Sequence, residues 1–274
     1  MLGVLKKTVK AGLHQLGLLT PAQYVYFNAK TLSPAVLRKE IQYRKGQTPD
    51  GYPLPPPHLI YDVIACRWGA VFMDSGAKVM KDMAAILDKN DKPLASFSNI
   101  LDFGCGCGRL IRQVQRHTNA ALIGSDYNGE LVDWCTANLP FATFHKNELA
   151  PPLALNDASV DFIYARSVFT HLTEALTFQW MQEMRRVLRP GGCIYLTMHG
   201  RPMSSGLNDG LRAKFDAGEL VVTYAQVAGE NLCSTFANRA FVEQHLLEGF
   251  KLLDFVEGRK ESHLKQDVYL LQRT

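Results

Sequence analysis

Apolar residues recur along this chain with two different periods, and the change from one to the other comes near residue 95. Over 1–20, Leu2, Leu5, Val9, Leu13 and Leu16 fall at steps of three or four. That spacing predicts an amphipathic helix, with Lys6, Lys7 and Lys10 elsewhere on its surface. Pro21 and Pro34 punctuate the next stretch, and TPDGYPLPPPH over 48–58 predicts a loop. Proline lacks an N–H and blocks helix interiors and central strands. Helical periodicity resumes over 59–87, and 90–93 reads as a turn. Residues 1–95 therefore read as a helical N-terminal extension.

After Ser98 short apolar runs of strand length alternate with helical stretches. Strands are predicted over 100–103, 121–125, 142–145, 160–165 and 193–198. Helices are predicted between them over 110–117, 129–137 and 174–188. Such β-α alternation implies an α/β fold, a parallel sheet covered on both faces. The pattern weakens over 200–238, where Gly206, Gly210, Gly218 and Gly229 interrupt it and a hairpin over 220–226 is the reading. A helix over 239–247 and strands over 250–256 and 267–271 close the chain. Residues 96–274 thus form one domain with an insertion near 200–238.

Composition narrows the class. With 274 residues, 47% apolar and 20% charged, the chain is too apolar for disorder and long enough to bury a core without staples. No stretch is long and apolar enough to span a bilayer, and the N-terminus lacks the features of a signal peptide, so a cytoplasmic protein is expected. The six cysteines have no zinc-ribbon or disulfide-framework spacing; free thiols and no metal site are expected. The helix over 1–20 suggests peripheral membrane contact, but its basic face is short and no large aromatic anchors it, so packing on its own domain is favoured.

The chemistry concentrates in Ile100-Leu101-Asp102-Phe103-Gly104-Cys105-Gly106-Cys107-Gly108-Arg109. A strand runs into three glycines at alternate positions and then into a helix. Glycine permits positive φ and close approach of a ligand, and the helix start offers free N–H groups. Asp126 closes the second strand, where a carboxylate can accept both ribose hydroxyls of an adenosine ligand. Asp102, ending the first strand, can hold the ammonium of an amino-acid ligand. Arg109 stands where the nicotinamide-dinucleotide fingerprint needs its third glycine, so that oxidoreductase class is disfavoured.

These segments resemble the class I S-adenosylmethionine-dependent methyltransferases, from about Phe97 to the C-terminus. ILDFGCGCGR is similar to the family's first motif, so Asp102, Gly104, Cys105, Gly106, Gly108 and Arg109 are implied around the cofactor. Arg109 either braces the loop or reaches a carboxylate. Asp126 is similar to the family's ribose-binding acid, and Tyr127 after it either packs on the adenosine or lies at the solvent edge. His145-Lys146-Asn147-Glu148-Leu149 resembles the adenine-contacting segment, with Asn147 where the family often has Asp. An Asn carbonyl still accepts a hydrogen bond. The run 160–172 resembles the fourth strand and its loop, in which Arg166 either contacts the methionine moiety or is exposed. Leu188-Arg189-Pro190-Gly191-Gly192 resembles the turn into the fifth strand. The resemblance implies a seven-stranded Rossmann-like sheet of order 3-2-1-4-5-7-6 with strand seven antiparallel. It implies S-adenosylmethionine as cofactor and S-adenosylhomocysteine as product.

Methyl transfer from a sulfonium depends mainly on alignment of the acceptor, with a general base where the acceptor must lose a proton. His171, after the fourth strand, is the first candidate base and His199, ending the fifth, the second; each alternatively orders its loop. The acceptor is read as a small molecule: a metabolite, a glycan or lipid-linked precursor, or a natural product. Nucleic acid is disfavoured by the formal charge of +4 and by Ala165-Arg166-Ser167-Val168, which is unlike the Asn/Asp-Pro-Pro-aromatic motif of amino-methylating nucleic-acid enzymes. RNA or protein methylation and a non-catalytic cofactor-binding module remain the alternatives. Aromatics of the N-terminal part, among them Tyr43, Tyr52 and Trp68, line a pocket or pack a core.

Overall fold

The computed structural model describes residues 32–259 and 264–274. The helix predicted over 1–20 lies outside them. The chain divides into two compact units, one ending at Ser75 and one running from Gly76 to Thr274.

In the first unit, helix α1 (Pro34–Arg44) starts at Ser33, whose side chain caps Val36 N, with proline at the first position. Glu40 is buried on α1 and accepts from Ala70 N at 2.8 Å, satisfying an amide at the start of a later helix. The proline-rich loop gives way to helix α2 (Pro57–Ile64), so its last residues 57 and 58 are helical. Proline is tolerated there because a first-turn N–H has no intrahelical partner. The helical run predicted over 59–87 is interrupted: Ala65 takes φ 53° and ends α2 before helix α3 (Gly69–Lys89) begins. Gly69 lies against Leu54, whose Cδ1 would be 2.2 Å from a Cβ there.

The second unit holds a seven-stranded sheet. Strand β1 (Asn99–Phe103) leads through the glycine loop into a short helix α4 (Ile111–Val114), then β2 (Ala121–Asp126). The helix predicted over 110–117 keeps only one α-turn. Arg116 N and His117 N bond to the third residue back, so its end tightens into 3-10 geometry. Helix α5 (Gly129–Asn138), capped by Asn128, β3 (Ala142–Lys146) and β4 (Val160–Ala165) come next. Helix α6 (Glu174–Val187), capped by Thr173, runs into β5 (Leu188–Met198). The fifth strand thus starts earlier than predicted: Leu188 pairs with Val160 and Cys193 with Phe162, so 189–192 bulge from the ladder.

The insertion folds on a small core of Phe215, Val221 and Phe236. It comprises α7 (Arg201–Ser204), α8 (Asp209–Asp216), β6 (Val221–Thr223) and β7 (Ser234–Phe236). The hairpin expected within 220–226 is corrected. Its first strand is there, but Tyr224 at φ 57° turns the chain away, and the partner strand arrives at Ser234. Helix α9 (Arg239–His245) and strands β8 (Phe250–Val256) and β9 (Asp267–Arg273) complete the unit.

The sheet order is β3-β2-β1-β4-β5-β9-β8, with β9 antiparallel to both neighbours. This is the predicted order. Alternate strand residues face opposite sides. Leu101, Ile163, Ile194 and Leu271 join the core with Trp180 and Met184 of α6 and Phe241 of α9. The C-terminal ends of β1, β2, β4 and β5 therefore open on one edge, where ligands of such sheets sit. No described helix is long and apolar enough to cross a membrane.

Candidate functional site

After β1 the chain turns through Gly104, Gly106 and Gly108 with φ of 75°, 55° and 82°. That region costs an L-residue about 1–2 kcal/mol, which explains glycine at each position. Gly104 N and Cys105 N both donate to Ser125 O, at 2.8 and 3.0 Å, so the loop is pinned to the end of β2. Cys105 and Cys107 are buried. The thiols of Cys105 and Cys135 both approach Gly106 O, at 3.6 and 3.5 Å. Contact with Cys135 and burial push the Cys105 thiol up, and burial does the same for Cys107. These thiols are packing groups rather than nucleophiles.

Asp126 is buried at the end of β2 and accepts from Gly106 N at 2.8 Å and Asn128 N at 2.9 Å. Burial raises its carboxyl, and those amides pull it back. Each oxygen keeps a further lone pair for a ligand hydroxyl. Tyr127 beside it is 38% exposed. Asn147 turns its carbonyl to Ser125 Oγ at 2.6 Å and donates to Glu148 O at 2.7 Å, and Glu148 is exposed. All of these flank the edge at β2 and β3.

A second group lies at the ends of β1, β4 and β5. Asp102 and Tyr164 are register partners on β1 and β4, and both are buried. Burial pushes the Asp102 carboxyl up to about 7, against the Tyr164 hydroxyl and the Arg109 guanidinium, which favour its charge. Arg109 is itself lowered to about 10 by burial and by repulsion from Arg166. Arg166 reaches Gln266 Oε1 through Nη1, and Gln266 also accepts from Thr197 Oγ1 at 2.7 Å. Burial lowers the Arg166 guanidinium as well. Among the described residues, five buried polar atoms here have no hydrogen-bond partner: Asp102 Oδ2, Arg109 Nε, Arg166 Nε, Tyr164 OH and Tyr195 OH. Buried polar groups are normally satisfied, so a set left open in one neighbourhood marks a ligand position. An anionic acceptor beside cationic donors fits an amino acid's ammonium and carboxylate.

The two histidines converge at the same edge. His171, in a 3-10 turn Phe169–His171, and His199, after β5, have ring centroids 6.1 Å apart, edge to face. His171 Nδ1 lies 2.6 Å from Cys233 O. A carbonyl only accepts, so Nδ1 carries the proton and Nε2 holds the lone pair. Burial lowers His171, and the Cys233 carbonyl partly offsets this. His199 is lowered to about 3 by burial, with His171 and Arg166 adding to the effect, and its Nδ1 has no partner. Its ring lies 5.1 Å from that of Phe236. Burial thus favours the neutral form of both rings.

Tyr164, Tyr195, Thr197, Gln266 and Cys233 do not stand out in the sequence. The tyrosines offer one signal, a polar tip on an otherwise apolar buried strand. Gln266 and the Cys233 carbonyl offer none, since they arrive from distant elements. Among the described residues no group of His, Cys, Asp and Glu is arranged to hold a metal ion.

Comparison with known proteins agrees with this geometry. Residues 100–192 match the methyltransferase domain family. The biotin biosynthesis bifunctional protein BioHC of Cellvibrio japonicus is 27% identical over 238 residues, which is 86% of this chain and 40% of that protein. The chain thus spans well under half the length of this relative. Among solved structures, the 1,6-didemethyltoxoflavin-N1-methyltransferase of Burkholderia thailandensis superposes with a TM-score of 0.52 at 16% identity, covering 88% of each chain. A putative sarcosine dimethylglycine methyltransferase of Galdieria sulphuraria gives 0.52 at 14% identity, over 72% of this chain and 86% of the other. These structures share the fold. The domain match over 100–192, the glycine loop and the strand order agree: the chain carries a methyltransferase domain and is similar in sheet order and glycine loop to the class I S-adenosylmethionine-dependent methyltransferases.

Proposed function

We propose that this chain methylates an O, N or C nucleophile of a small-molecule acceptor, with His171 as general base. The observation that carries this reading is the convergence of His171 and His199, 6.1 Å apart, at the sheet edge that also holds the glycine loop. The open polar atoms of that edge fit S-adenosylmethionine. Asp102 would hold its ammonium, Arg109 and Arg166 its carboxylate, and Asp126 its ribose, with Tyr127, Asn147 and Glu148 toward its adenine. When bound, the cofactor supplies an activated methyl group.

The chain's own residues do the rest. His171 presents Nε2 as proton acceptor because Cys233 O occupies Nδ1. In its neutral form, which burial favours, it can take a proton from an acceptor hydroxyl or amine, a role worth about 10²–10⁴-fold in rate. His199, lowered to about 3 by burial, serves as a neutral wall and hydrogen-bonding partner. In this reading residues 96–274 carry the transfer, residues 1–95 are a helical extension, and the 200–238 insertion helps select the acceptor. The modest formal charge of +4 favours a small molecule over nucleic acid. The curated relative is named for the biosynthesis of a small molecule, biotin.

Titration calorimetry with S-adenosylhomocysteine should give one site per chain. Asp126→Ala should weaken it by about 10–100-fold, the loss of hydrogen bonds to a charged group. Folded protein that does not bind would end the reading. With an acceptor found by labelled-cofactor screening, His171→Ala turning over at the wild-type rate would remove the base role.

A further inference from the structure

One segment of the insertion touches both ends of the site. Gly229 N donates to His171 O at 2.7 Å. Four residues later Cys233 O takes the His171 ring at 2.6 Å, and Thr235 Oγ1 donates to Leu172 O. Ala237 N then bonds His199 O at 3.1 Å, and the Phe236 ring lies on the His199 ring. The strap 229–237 therefore holds both histidines largely through backbone. The same Gly229 leaves no room for a side chain against Leu149 and Tyr127. A Cβ built there would lie 2.8 Å from Leu149 Cδ1 and 3.3 Å from Tyr127 Cζ, and its φ is 89°.

We propose that Gly229 is a positioning residue: its contact with Tyr127 and Leu149 registers the strap so that Cys233 O holds His171 by Nδ1 and leaves Nε2 free. The inference rests on the proposed base role of His171. Its physical content is geometric. A side chain at 229 must push the strap away from Leu149 or move Tyr127. The carbonyl that sets the histidine tautomer lies four residues downstream on the same strap. A neutral imidazole released from that carbonyl loses its tautomer preference. Tyr127 would pack on a bound adenosine, and its position would then be coupled to the orientation of the base through one glycine.

A control is built into the same insertion. Gly218 also has a left-handed φ, 87°, but a Cβ there meets nothing within 4 Å. Gly218→Ala imposes similar backbone strain without touching the site. The experiment uses full-length protein labelled with ¹⁵N at histidine, the His171 signal being assigned by its loss in His171→Gln. Wild type should show the Nδ1–H tautomer of His171 with and without S-adenosylhomocysteine. Gly229→Ala should lose that preference and bind S-adenosylhomocysteine at least ten-fold more weakly, an order-of-magnitude expectation for a clash that must be relaxed. Gly218→Ala should keep both. Adding Leu149→Ala to Gly229→Ala, which removes the nearest clashing atom, should restore the tautomer. An Nε2–H tautomer in wild type, or an unchanged tautomer in folded Gly229→Ala, would overturn the proposal. Wild type that fails to bind S-adenosylhomocysteine while showing the Nδ1–H tautomer would instead count against the methyltransferase reading.

Discussion

Asp102, proposed to hold the ammonium of the ligand, is buried near the C-terminal end of β1. Its carboxyl sits at about 7 in the folded chain against about 3.9 in an unfolded one. The folded state holds this proton more tightly. Its contribution to stability, of order 4 kcal/mol, is therefore full below about pH 4 and lost as pH rises through about 7. An ammonium placed beside it favours the ionised form. Binding of S-adenosylhomocysteine at pH 6 should then release close to one proton, and affinity should rise with pH over about 5–8. Calorimetry in two buffers of different ionisation enthalpy reads this directly. Zero proton release in wild type, or equal release in Asp102→Asn, would contradict it. The loop glycines make a second residue-scale contrast. Gly104→Ala would place a Cβ 2.3 Å from Val168 Cγ2 at φ 75°, whereas Gly191→Ala, at φ 77°, meets nothing within 4 Å. Urea unfolding should show a cost of about 1–2 kcal/mol for Gly191→Ala and about 2–5 kcal/mol for Gly104→Ala, strain plus overpacking. Equal costs would show that the Val168 contact relaxes freely.

At the scale of elements, α6 ties the sheet to the loop after β3 through Trp180. Its ring, 1% exposed, lies 4.5 Å from that of Phe103, and Nε1 donates to Leu149 O at 2.9 Å. Trp180→Phe should cost about 1–3 kcal/mol by stranding that carbonyl, and Trp180→Ala about 3–5 kcal/mol by cavity formation. A neutral Trp180→Phe would mean that water replaces the indole. The central strands β1, β4 and β5 are legible in the sequence because a strand buried on both faces must be a short, largely apolar run. Element ends are less legible. Leu188 reads as the last helical residue, yet its backbone pairs with Val160. The second strand of the insertion hairpin has no local signal, because its partner is set by a loop that Tyr224 redirects. Among residues of the candidate site, the glycines are legible because a left-handed turn after a strand demands them, and Asp102 and Asp126 because they stand at the C-terminal ends of strands. Gln266 and Cys233 are not, since only chain crossings bring them to Arg166 and His171.

For the whole molecule, the sheet and its cofactor edge predict a global response to ligand. S-adenosylhomocysteine at about 100 times its dissociation constant should stabilise the folded state by about 2.7 kcal/mol. The transition that melts the sheet should rise by about 5–10 °C, given about 2–4 °C per kcal/mol for a unit of this size. A shift within error at saturation would place the binding outside the sheet unit. The sequence by itself determined the β-α alternation and the glycine loop, and its resemblance to a known family implied the donor and the strand order. Glycine at three left-handed positions is demanded by local backbone geometry, which local sequence encodes. Only the tertiary structure decided that His171 and His199 meet, that burial lowers both rings, and that one strap holds both. Those outcomes depend on burial and on contacts between residues tens of positions apart, and neither is written in any local pattern.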